Sequence, residues 1–188
     1  MSTTSVRVIT IDGPSSSGKG TIARLLAMKL GWNFLDSGAL YRAVGLVAIQ
    51  QNLEPTDPKL STIAQTIDVT FVGEQVFFKG IDVTEDIRAE TTGEMASKVA
   101  IVPSIRVALL TRQRSYARQP GLVADGRDMG TLVFPAAQVK IFLTANADER
   151  VHRRYKQLKE KGLNVNLTEL TATMHTRDER DRTRSMAP

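Results

Sequence analysis

Residues 6–21 read VRVITIDGPSSSGKGT, and the order of their three parts decides the fold. Val6 to Ile11 is a nearly continuous apolar, β-branched run, the pattern of a strand buried on both faces of a parallel sheet. A glycine loop, Gly13 to Thr21, follows at once. Then TIARLLAMKLG sets Ile22, Leu25, Leu26 and Leu30 on one helical face and stops at Gly31. Strand, loop, helix is the setting in which G-x-x-x-x-G-K holds phosphate. Backbone N–H groups of Gly13, Pro14 excepted, through Ser15, Ser16, Ser17 and Gly18 can turn inward around an anion, and the helix adds its positive N-terminal end. Lys19 reaches for the outer phosphates. The usual pattern has Ser or Thr directly after the Lys. Here Gly20 stands there and the hydroxyl comes one place later, at Thr21. Thr21 can still bond a phosphate oxygen or a water held by Mg2+, an ion that keeps several waters.

Working outward, NFLD (33–36) is a short second strand, and residues 37–52 are helical with Ser37 as N-cap. Residues 68–79 form a hairpin around Gly73-Glu74-Gln75, and 81–100 continue into a helical stretch. Pro103 opens a helix over 103–118. Residues 121–125 and 139–143 are two further buried strands, and 148–162 and 168–184 are charged helices. Strands alternating with helices predict a parallel α/β sheet, which binds ligands beyond its strands' C-terminal ends. The glycine loop, Asp36-Ser37 and Asp125-Gly-Arg-Asp128 all follow predicted strands. Three polar clusters therefore converge on one edge.

Composition narrows the class. A chain of 188 residues predicts one domain. With no Cys, a disulfide framework and a thiolate zinc site are excluded. MSTTSVRVIT lacks a signal peptide's apolar core, and no apolar run approaches the ~20 residues of a membrane span. The expected location is the cytoplasm. The formal net charge is +5, and from Arg150 to Pro188 ten Lys/Arg stand against five Asp/Glu. That excess equals the whole net charge, so it reads as a local anion clamp rather than a basic face for nucleic acid. Arg42, Arg127, Arg150, Arg153 and Arg154 stand near the polar clusters, and guanidinium groups bind phosphate bidentately. No Asn-Lys-x-Asp of a guanine-reading switch is present. These features predict a kinase of a small phosphorylated acceptor. Arg177, Asp181 and Arg184 fall at i, i+4 and i+7 on one helix face, suited to a ribose diol or a base edge, or to a plain ion-pair ladder. His152 and His175 lack any nucleophile arrangement, and Trp32 reads as packing.

With these stretches in view, the chain resembles bacterial cytidylate kinases, of the nucleoside monophosphate kinase group. The matching segments are IDGPSSSGKGT (11–21), LDSGALYR (35–42), ASKVA (96–100) with PSIR (103–106), GLVADGRDMGTLVFP (121–135), VKIFLTA (139–145) and RDERDRTR (177–184). GKGT is the usual form of the loop in that group. The resemblance implies a three-layer P-loop kinase fold: a core of residues 1–62 and 103–188, a hairpin-and-helix insert over 63–102 on the monophosphate side, and a helical lid over 148–166. It implies ATP and Mg2+, with CMP or dCMP as acceptor, and the expected state is a monomer. Position by position, Ser37, Arg106, Asp128 and Arg184 would face cytosine. Ser97, Arg177 and Asp181 would hold the ribose, and Arg42 and Arg127 the acceptor phosphate. Lys19, Arg127, Arg150 and Arg154 would act on the transferring group, with Arg153 in the same lid, Asp125 beside the metal water and Thr21 toward the metal. Alternatives are a nucleotide-binding protein without turnover and another small-molecule P-loop kinase. Family members continue some tens of residues past Pro188, so a continuation is expected there. Ser16-Ser17 stands where the family often has Gly or Ala, and the cradle is expected to survive if both keep φ below zero.

Overall fold

Val8–Asp12 (β1) lies inside a four-stranded sheet of the computed structural model, which describes residues 6–160 and 162–183. Its partners are Asn33–Asp36 (β2), Leu122–Gly126 (β6) and Val139–Phe142 (β7), in the order β2-β6-β1-β7, every pair parallel. The remaining strands, Val69–Val72 (β3), Gln75–Phe78 (β4) and Ile81–Asp82 (β5), form a separate antiparallel sheet. In the parallel sheet Asp12 pairs with Gly126 and Asp36 with Asp125, so three strands end level and present their polar residues at one edge. The parallel α/β architecture expected from the sequence is the one observed.

Helices cover both faces. Lys19–Leu30 (α1) packs on one face through a small cluster of Ile11, Ala23, Ala27 and Val123. Ser37–Gln50 (α2), Pro58–Gln65 (α3), Glu90–Val99 (α5) and Pro103–Arg114 (α6) build the main core, with Leu40, Val44, Leu60, Leu109 and Leu122 fully buried. Thr84–Arg88 (α4) links β5 to α5. Ala147–Glu160 (α7) and Leu167–Thr183 (α8) pack on each other through Val151, Leu158, Leu170 and Met174. No helix among the described residues is long and apolar enough to cross a membrane.

Four sequence expectations need correction. The buried face of α1 is Ala23 and Ala27, not Ile22, Leu25 and Leu30, which are all exposed. A helix that leaves the phosphate loop must approach the sheet closely, and small side chains permit that. β7 is not a buried strand. It pairs only with β1 among the described residues, and Phe142 is 70% exposed. The N-cap of α2 is Asp36, whose carboxylate accepts from Ala39 N at 3.0 Å, so Ser37 is the first helical residue. The helix from Pro103 ends at Arg114 rather than 118. Helix α3, strand β5 and a π-helical turn over Met129–Val133 were not expected at all.

Candidate active site

The phosphate loop shows why each special residue is there. Gly18 caps α1 at φ 94, a left-handed conformation glycine adopts freely. A Cβ at Gly13 would lie 2.0 Å from the Leu143 carbonyl oxygen. Ser16 does not meet that condition: its φ is 56, left-handed backbone that disfavours a side chain by roughly 1–2 kcal/mol. Gly20 is explained by a partner across the sheet. A Cβ there would lie 2.9 Å from Asp125 Oδ2. The position after Lys19 is empty of side chain because a carboxylate from β6 takes the space.

Asp125 and Lys19 form a buried pair, Nζ to Oδ1 3.9 Å, while Lys19 Nζ donates to the Pro14 carbonyl at 3.2 Å. Burial pushes the Asp125 carboxyl up to about 7, against the pull of the Lys19 charge. Burial likewise pushes the Lys19 ammonium down to about 8, helped by Arg127 and opposed by Asp125. Asp125 Oδ1 and Ser17 Oγ are buried with no hydrogen-bond partner among the described residues. Thr21 is exposed and lines a cavity together with Asp36, Arg42 and Arg154. Among the described residues, no three His, Cys, Asp or Glu side chains gather as a metal cage. The oxygens on offer suit Mg2+, which takes one or two carboxylates, waters and substrate phosphates.

Beside this loop a second cavity is lined by Ser15, Ser37, Arg42, Ser97, Arg127, Asp128, Arg177 and Asp181. The strand ends and three helices bring them together. Asp128, two residues past β6, forms a buried ion pair with Arg106 of α6. Ser37 Oγ accepts from Gln113 Nε2 at 2.8 Å. Arg42 Nη1 donates to the Ile87 carbonyl at 2.7 Å. A Cβ at Gly93 would meet the Arg42 guanidinium at 2.9 Å and Arg177 Nη1 at 3.1 Å, so this glycine lets two like charges converge. Burial, then Arg177 and Arg154, push Arg42 down to about 10. Crowded cations of this kind favour a dianion between them. Arg127 Nε donates to Asp181 Oδ2 at 2.8 Å, joining two residues the sequence had assigned to different substrate groups. Arg184 lies outside the described residues.

The α7 and α8 arginines are occupied. Arg150 is buried, with Nη1 on the Ser15 carbonyl at 3.2 Å and Nη2 on Asp178 Oδ2 at 2.7 Å. Ser15 Oγ donates to the same Asp178. Arg153 Nη1 donates to the Ser17 carbonyl at 3.2 Å. Arg154 pairs with Glu90 and donates to the Arg88 carbonyl. Arg177 reaches Glu90 and Glu94, and Arg180 reaches Glu94 at 2.7 Å and Ser97 Oγ at 3.4 Å. Burial acts to raise the Glu90 and Glu94 carboxyls, but the arginines outweigh it and hold both below their ordinary 4.5.

Sequence reasoning missed Asp12, Gln113, Glu90, Glu94, Asp178 and Arg180. Asp12 had a local signal, a lone acid ending a buried apolar strand. Its two oxygens accept from Met129 N and Gly130 N, both at 2.8 Å, and tie the start of the phosphate loop to the turn after Asp128. Burial raises its carboxyl, and the two N–H bonds pull the other way. The others gave no signal, since their partners lie far along the chain.

A family model described as cytidylate kinase matches residues 9–188. A curated relative from Bordetella bronchiseptica, named cytidylate kinase, is 53% identical over 182 residues, covering 96% of this chain and 82% of its own. Another of that name from Stutzerimonas stutzeri is 55% identical across 97% of this chain and 83% of its own. A solved shikimate kinase from Acinetobacter baumannii in complex with shikimate aligns over 96% of this chain and 81% of that one, at 18% identity and TM-score 0.40. That last likeness is too slight to bear on function.

Proposed function

The chain belongs to the cytidylate kinase family, and from that premise we propose that it transfers the γ-phosphoryl group of ATP to CMP or dCMP, giving ADP and CDP or dCDP. One observation supports the reading above the rest. A phosphate loop and a pocket carrying Arg42, Arg127 and Arg177 beside Asp128 and Ser37 open side by side at one sheet edge.

The donor phosphates lie in the Gly13–Thr21 cradle, with Lys19 against the outer two. Mg2+, when bound, would offset the phosphates' negative charge. Asp125, buried beside Lys19, and Thr21, which lines the neighbouring cavity, would hold the ion or its water. Two phosphorylated substrates repel each other, so the chain's own task is to supply cations and alignment rather than a nucleophile. Arg42 and Arg127 grip the acceptor phosphate. Ser97, Arg177 and Asp181 take the ribose. Asp128 accepts from the cytosine amino group, held in place by Arg106, while Ser37 faces the same edge. A base of the wrong edge would leave these buried groups unpaired. Arg153 and Arg154 leave Ser17 and Glu90 for the transferring group as α7 closes. Arg150 acts through the loop, bracing Ser15 from Asp178.

The test is ADP production from ATP-Mg2+ with CMP, dCMP, UMP, AMP, GMP and shikimate offered in turn. Turnover largely confined to CMP and dCMP supports the proposal. Turnover with shikimate, or none with any acceptor, overturns it. Arg127→Met should lower turnover with every monophosphate, and unchanged rates would remove Arg127 from the phosphate grip.

A further inference from the structure

Helix α6 carries two buried polar side chains seven residues apart, Arg106 at 4% exposure and Gln113 at 2%. Two helical turns separate them, so both lie on the same face. Each backs a different residue of the acceptor pocket. Arg106 pairs with Asp128, two residues past β6, and Gln113 donates to Ser37 Oγ at 2.8 Å, on α2. A polar amide placed this deep must find a partner, and here the partner is a pocket hydroxyl.

We infer that Gln113 is a specificity-positioning residue: its amide fixes the Ser37 hydroxyl so that this group reads the pyrimidine edge. The inference rests on the proposed assignment of Ser37 to the acceptor base. A hydroxyl has one proton to donate and two lone pairs to accept with. The Gln113 N–H occupies one lone pair and pins the Ser37 rotamer. The Ser37 proton cannot point back at the amide N–H, so it is turned to the pocket and the hydroxyl acts there as a donor. Cytosine presents an amino donor and a ring-nitrogen acceptor on this edge. Uracil presents the reverse, a carbonyl acceptor and an N–H donor. A hydroxyl free to rotate would serve either base. One held by Gln113 as a donor matches the ring-nitrogen acceptor of cytosine and opposes the N–H that uracil presents there, while the Asp128 carboxylate takes the amino group.

The experiment compares kcat/KM for CMP and UMP in four proteins: the native chain, Ser37→Ala, Gln113→Met and the double variant. Methionine matches glutamine in length and removes the hydrogen bond. Gln113→Met is expected to lower the CMP-to-UMP ratio about three- to tenfold, the worth of one hydrogen bond. The KM for ATP should stay within about twofold, and in the Ser37→Ala background the same substitution should leave the ratio alone. A role in packing alone would lower Tm without moving the ratio, and that result overturns the inference. So does an equal fall of the ratio in both backgrounds. An unchanged ratio in Ser37→Ala would overturn the assignment of Ser37 and the inference with it. A changed ratio there beside an unchanged one in Gln113→Met would overturn the inference alone. Should methionine prevent folding, Gln113→Leu carries the test, since leucine removes the donor with a smaller side chain and the ratio should fall in the same way. A folded Gln113→Leu with the native ratio overturns the inference.

Discussion

In the proposed acceptor pocket, the side assigned to the base and the side assigned to the phosphate are built differently. On the base side, Arg106 and Asp128 are 2% and 8% exposed in their side chains and pair with each other between core elements. Toward the phosphate, Arg127 pairs with Asp181 at 29% and 26% exposure, and around them the ribose arginine Arg177 and the lid arginine Arg154 pair with Glu90, about a third exposed. An uncharged base is told from its rivals by fixed geometry, so its readers are locked before it arrives. A phosphate is held by charge, so its arginines can rest on carboxylates and be handed over. Glu90 and Glu94 hold arginines that a bound anion would compete for.

Asp128→Ala tests the locked side and should have the largest effect. It leaves a buried guanidinium without its partner, which costs about 3–5 kcal/mol. Denaturant unfolding reads that loss, and kcat/KM for CMP should fall far more than ATP binding. Equal losses for the two nucleotides would erase the distinction between the sides. Glu90→Gln tests the handed-over side. A partly exposed ion pair contributes roughly 0–1 kcal/mol, so stability should change little. CMP should bind a few-fold tighter in a titration, because Arg154 and Arg177 lose a competitor. Weaker binding would mean that Glu90 positions the arginines rather than parking them.

The same carboxylates set a pH dependence. Glu90 and Glu94 are held below their ordinary 4.5 in the folded chain, so the unfolded chain takes up protons first as pH falls. Their stabilisation is present above pH 4.5 and is lost as pH drops through the lower folded values. Melting curves from pH 6 to 3 should show this acid loss in the native chain and less of it in a Glu90→Gln, Glu94→Gln double variant. A steeper loss in the double variant would contradict the ion-pair account. The smallest effect belongs to Ser16→Gly, in the donor loop. Relief of left-handed strain outweighs the added chain entropy of glycine by about 0.5 kcal/mol, visible as a small rise in Tm. A fall would show that the Ser16 side chain supports the loop.

Much of the site was legible without coordinates, for a local reason. The glycine loop, Asp36-Ser37 and Asp125–Asp128 each end a strand, and a strand's end is visible as the break in an apolar run. Parallel pairing then had to bring them level, as the register of Asp12 with Gly126 and Asp36 with Asp125 does. The helix faces were less legible. Ile22, Leu25 and Leu30 have the spacing of a core stripe, yet close approach to the sheet selected Ala23 and Ala27 instead. In β7 the apolar run spoke for burial, but a strand at the sheet's edge has one neighbour among the described residues.

What the amino-acid sequence determined by itself is the phosphate loop, the α/β order and the set of arginines, because each depends on neighbours a few positions away. Only the tertiary structure decided how those groups are paired. Gly20 is small because of Asp125, far along the chain on another strand. Ser37 is oriented by Gln113, 76 residues on, and Asp12 holds the backbone at Met129, 117 residues on. No pattern of adjacent residues encodes such contacts. They exist only once parallel strands and the helices between them have folded the chain back on itself.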